Sequence, residues 1–152
     1  MYNTDIILTL NGLLAHCRQS SRQSVLAMRR WGGKSGVPGL DGLCERIAKL
    51  RDAAIADLQR MVVQSGGTPD EREAAAAPCG VGTASADAGG KLGALNACEQ
   101  IENAALERYR DALDEPLPAL VRQQIEHQFR IIEDNHRQLL RLRENMGRDC
   151  RV

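Results

Sequence analysis

The sequence predicts an all-helical domain, a four-helix bundle with one long crossover between its second and third helices. Three observations carry that expectation. Apolar residues recur at spacings of three and four, whereas sustained alternation and β-branched or aromatic runs are missing. Four such stretches, each about twenty residues or more, are divided by Gly- and Pro-bearing breaks, and four amphipathic helices hide their apolar stripes most simply against one another. The breaks are unequal, at about ten, about 27 and about five residues. The first and third suit antiparallel hairpins. A helix of about 25 residues is about 38 Å long, and the middle break is long enough to cross that length.

The first helix is expected over residues 4–30, capped by Asn3 or Thr4, with Ile6, Leu10, Leu13, Cys17, Ser20, Ser24 and Met28 on one face. It stops at the Gly-rich "WGGKSGVPG". The second, over 41–64, turns Leu43, Ile47, Leu50, Ala54, Leu58 and Met61 inward and ends at Gly66-Gly67 before Pro69. Residues 66–92 are rich in Ala, Gly and Pro and nearly empty of large apolar groups, which makes them the crossover. The third helix, over 92–113, places Leu95, Cys98, Glu102, Ala105, Tyr109 and Ala112 in register. After "DEPLP" the fourth, over 118–146, aligns Val121, Ile125, Phe129, Ile132, His136, Leu139 and Leu140. Residues 1–147 form one domain and 148–152 a tail. With its single crossover, this is the ferritin-like arrangement.

Composition excludes several classes of function. Lys plus Arg and Asp plus Glu are both 20, so no net field draws the chain to nucleic acid or an acidic membrane. Aromatic residues are 3% of the chain, too few for a stacking groove. No apolar window reaches the roughly 18 residues of a membrane span, and the N-terminus does not read as a signal peptide. Five Cys without short paired spacing fit a reducing cytoplasm. Neither phosphate-loop nor nucleophile-elbow spacing occurs. Trp31 beside Arg29 and Arg30 is a candidate partner surface. Leu26, Ile55 and Leu106, off the main stripes, suggest a homo-oligomer.

The candidate chemistry lies in "IIEDNHRQLL", where Glu133 and His136 make the Glu-x-x-His half of a di-iron recipe. Two irons also need a second Glu-x-x-His and two lone Glu residues. The first helix has no Glu, and no His occurs between His16 and His127. A reduced, mononuclear site for iron, manganese or zinc would use Glu102, Glu133 and His136, with His16 as a fourth ligand. The alternative is a polar core layer in which Glu102 bonds His136, completed by Ser20, Ser21, Ser24 and Tyr109, with no cofactor at all.

The segment "ACEQIENAALERYRDALDEPLPALVRQQIEHQFRIIEDNHRQLLRLR", with "TLNGLLAHC" and "SGGTPDE", resembles the bacterial ferritin-like family catalogued as domain of unknown function 2383. The resemblance implies a ferritin-like bundle in a bacterium and no established biochemical activity. It spans most of the chain and is specific mainly in the third and fourth helices. "CRQSSRQSVL" departs from the acidic first helix of that family. Three functions follow as expectations: a non-enzymatic structural or interaction protein connected with stress, a divalent-metal protein with a redox or storage role, or a thiol sensor using Cys79 or Cys150.

Overall fold

The computed structural model describes residues 2–31, 34–71 and 90–149. Four helices account for most of them: α1 (Tyr2–Arg30), α2 (Leu40–Gln64), α3 (Lys91–Leu113) and α4 (Ala119–Asp149). Among the described residues there is no strand. The central crossover residues, 72–89, with Cys79, and Cys150 in the tail lie outside the described residues. α1 is already helical at Tyr2, so the expected caps Asn3 and Thr4 sit inside its first turn. α4 runs on past the expected Met146 to Asp149.

Two apolar clusters fix the directions of the helices. Ile6, Leu10 and Leu13 pack with Met61, Val62, Tyr109, Ala112, Leu117 and Ile125. At the far end, Met28 and Trp31 pack with Leu40, Cys44, Leu95, Leu139 and Met146. The starts of α1 and α4 therefore share an end with the finishes of α2 and α3. α1 and α4 run one way, α2 and α3 the other. α1 packs closely on α2 and α3, and α3 on α4, while α2 and α4 are less tightly joined. That looseness opens a cleft on one side of the bundle.

Local chemistry sets each boundary. Gly66 takes φ +89° after α2, donating its N–H to Val63, while Gly67 donates to Val62 at 2.9 Å. This paired closure satisfies carbonyls the helix would otherwise orphan, and it needs a residue free to adopt left-handed backbone. Asn11 of α1 then holds the departing chain, donating to the Thr68 carbonyl and accepting the Asp70 N–H at 2.9 Å. Between α3 and α4, Arg122 donates to the carbonyls of Leu113 and Glu115, at 2.7 and 2.8 Å. It does there what a C-terminal cap does for the α3 carbonyls.

The apolar stripe of α3 is buried as its spacing predicts, from Leu95 through Ala112. Leu106 is a correction. Expected at the surface, it is 5% exposed and belongs to the first cluster, because α3 is flanked by both α1 and α4 and buries a wide face. Ile55 is half-buried against the same cluster, and Leu26 remains exposed at 49%.

Candidate functional site

A layer of polar side chains crosses the middle of the bundle. Glu102 is 1% exposed, inward as expected. Its hydrogen-bond partner is Arg51 of α2 rather than His136: Arg51 Nη2 donates to Glu102 Oε1 at 2.5 Å, with side chains 4% and 2% exposed. Cys44, Arg51 and Leu58 lie seven residues apart and are all buried. The heptad thus points to Arg51, but an apolar stripe drawn through Leu50 and Ala54 passes it by. Both of those residues are half-buried.

Burial raises the Glu102 carboxyl above its ordinary value, opposed by Arg51 and then by His136 and Asn135. Burial works most strongly against the Arg51 charge, but the attraction of Glu102, joined by Cys17 and Tyr109, more than restores it. A guanidinium is in any case the cation least able to lose its proton. The layer is therefore built around a fixed positive charge.

On the α1 side, the Tyr109 hydroxyl donates to Gln128 Oε1 at 2.7 Å, and Cys17 Sγ lies 3.3 Å from the same hydroxyl. Burial raises the thiol of Cys17. His16 Nε2 and Ser20 Oγ share a hydrogen bond of 3.3 Å. His16 is held near pKa 4, first by burial and then by the positive charges of Arg51 and Arg108. It is neutral at pH 7. Ser24 donates back to the Ser20 carbonyl at 2.9 Å, the bond a serine makes within a helix. Of the expected polar layer, Ser20 and Tyr109 are buried in it, whereas Ser21 and Ser24 are half-buried at its edge.

α4 is turned slightly from the expected seam. Its buried row is Ile125, Gln128, Ile132, Asn135 and Leu139. Phe129 and His136 are only half-buried, and Leu140 is 40% exposed. A three-four-three-four spacing through Gln128 and Asn135 keeps the row facing the bundle interior between α2 and α3 along the whole helix. Phe129 instead covers the flank, with the Arg110 guanidinium 5.7 Å from its ring centre.

Among the described residues the structure does not bring the donors expected for a metal together. The one oxygen of Glu102 that makes a hydrogen bond makes it to a cation, and His16 bonds Ser20. Glu133 and His136 are half-buried on α4. Among the described residues no group of three or more His, Cys, Asp or Glu side chains is placed to hold a metal ion.

The layer has more hydrogen-bonding capacity than the protein fills. Gln19 Nε2, Arg51 Nη1, Glu102 Oε2, Gln128 Nε2 and Asn135 Oδ1 are buried without a protein partner. Each such atom costs about 1–3 kcal/mol if nothing else meets it. Arg51, Gln128 and Asn135 also line the cleft between α2 and α4, a hollow of about 250 Å³ walled by Leu50, Ala54 and Ile131. A neighbouring hollow of about 220 Å³ continues it past Arg46 and Arg130. The site is thus an apolar cleft with a polar floor.

Trp31 is half-buried and closes the second cluster, while Arg29 and Arg30 are exposed beside it. No described helix is long and apolar enough to cross a membrane. No protein-family model matches this chain, and no curated protein matches it.

Proposed function

We propose that this protein is a ferritin-like four-helix bundle, of the family catalogued as domain of unknown function 2383, in which an ion pair takes the place of a metal centre. It acts as a non-enzymatic structural or interaction protein. The observation that carries the reading is Arg51, buried in the central layer and bonded to Glu102. A ferritin-like centre gathers several anionic oxygens and imidazoles to balance its ions. Here the central cation is a side chain, and a divalent ion at Glu102 would have to displace or stand against it. The cleft between α2 and α4 is the surface through which such a protein would bind. The helix directions support the ferritin-like arrangement, since α2 finishes and α3 begins at opposite ends of the bundle.

Elemental analysis by mass spectrometry tests this directly. Tag-free protein, expressed with added iron, manganese and zinc, is expected to carry no stoichiometric metal. Near-stoichiometric metal that disappears in His136→Ala would sink the proposal in favour of a site on Glu102, Glu133 and His136. The same preparation tests self-association, where light scattering at micromolar concentration is expected to give more than the 16.6 kDa of one chain.

A further inference from the structure

Two thiols meet at the end of the bundle where α2 and α3 begin. Cys44 lies in the second turn of α2 and Cys98 in the third turn of α3, and their Sγ atoms are 3.4 Å apart. These helices lie across the bundle from each other, with α1 and α4 on either side, and meet elsewhere at the Arg51–Glu102 pair. The sulfurs need to close by only about 1.4 Å to reach the roughly 2.05 Å of a disulfide. Each keeps a little of its surface accessible, 6% for Cys44 and 8% for Cys98. Both line a hollow of about 10 Å³, which Trp31 and Met28 also line. A space of that size admits roughly one water-sized molecule.

The two thiols are not equivalent. A hydrogen bond from Cys98 holds the Cys44 thiol below its ordinary range, outweighing burial. The same bond, with burial, pushes the Cys98 thiol up. Thiolate character and access select the sulfur that reacts first with an oxidant. Cys17, by contrast, is buried against Tyr109 and its thiol is raised.

We propose that Cys44 and Cys98 form a redox site, oxidised by hydrogen peroxide to an intramolecular disulfide that ties α2 to α3. In the first step the Cys44 thiolate attacks one peroxide oxygen. The O–O bond breaks, hydroxide leaves and takes up the proton lost by Cys44, and the products are a sulfenic acid and one water. In the second, the Cys98 sulfur attacks Cys44 Sγ. The S–S bond forms, the S–O bond breaks, and the hydroxyl departs with the Cys98 proton as a second water. Two electrons pass from the two thiols to one peroxide, and no other reductant is needed.

The test uses the full-length protein, reduced and then treated with one equivalent of hydrogen peroxide. Free thiols are alkylated, and the products are mapped by mass spectrometry without reduction. A cross-linked Cys44–Cys98 peptide pair is expected, lighter by two hydrogens and split by dithiothreitol. Trp31, the one Trp in the chain, faces the same hollow, so its emission should change in step with the cross-link. Cys44→Ser and Cys98→Ser should each slow that change at least tenfold, while the Cys79→Ser/Cys150→Ser double variant should keep the cross-link. Recovery of Cys44 and Cys98 as alkylated thiols would overturn the proposal. So would oxidation confined to Cys79, Cys150 or Met28.

Discussion

Arg51 and Glu102 meet at 2.5 Å in the middle of the bundle, the side chain of each less than a twentieth exposed. Desolvating two charges costs several kcal/mol each, and only their mutual attraction and further hydrogen bonds offset it. The partners should therefore be far more sensitive to single than to joint replacement. Glu102→Gln or Arg51→Met alone is expected to cost about 3–5 kcal/mol, because each leaves part of the layer unmatched. The double variant should lose much less than the sum. Urea denaturation of the four proteins measures this, and simple additivity would show that the two charges are not coupled.

His16 makes stability depend on pH. Its folded pKa is about 4, against an ordinary 6.5. Between those values the unfolded chain binds a proton that the folded chain refuses. Stability is therefore fully present above about pH 6.5 and falls as pH is lowered toward 4. The expected loss between pH 7 and pH 4.5 from this group is about 2–3 kcal/mol. His16→Asn should remove that part of the slope and leave the part due to carboxylates. Equal slopes in both proteins would mean that His16 is not buried as a neutral ring.

Tyr109 joins three helices, donating to Gln128 of α4 and touching Cys17 of α1. Tyr109→Phe keeps the ring but deprives a buried amide oxygen of its donor. A loss of about 1–3 kcal/mol is expected by urea denaturation. Adding Gln128→Leu to the Tyr109→Phe variant should return part of it, since the orphaned oxygen is then gone. A cost below about 0.5 kcal/mol for the first change would show that water replaces the hydroxyl freely.

Two glycines should respond in opposite senses to Ala. Gly66 has φ +89° at the end of α2, where Ala is strained. Gly12 lies inside α1, and a Cβ there meets nothing within 4 Å. Gly66→Ala is expected to destabilise by about 1 kcal/mol, and Gly12→Ala to stabilise by up to about 1 kcal/mol. The shifts in melting temperature should carry opposite signs.

The four helices were legible because apolar periodicity is a local property. Each stripe can be read without knowing its neighbours, and on α3 every residue of the expected stripe is buried, Glu102 included. The partner of Glu102 was not legible in the same way. Arg51 sits at a core position of α2, yet a long charged side chain is ordinarily placed in water. On α4 a slight turn exchanged Phe129 and His136 for Gln128 and Asn135 as the inward residues. The two seams share Ile125, Ile132 and Leu139, and steps of three or of four residues fall on either side of the 3.6-residue turn, so sequence spacing fits both.

The four described helices, their order and the stop of α2 at Gly66-Gly67 are local features of the sequence. Those depend on hydrophobic period and backbone freedom within a few residues. That Glu102 faces Arg51, that Cys44 meets Cys98, and that the α2 and α4 faces part to leave a cleft emerge from how the helices pack. Each depends on the rotation and relative direction of separate helices. A polar group in a core takes its meaning from the one atom opposite it, and that atom lies 51 residues away for Glu102 and 54 for Cys98.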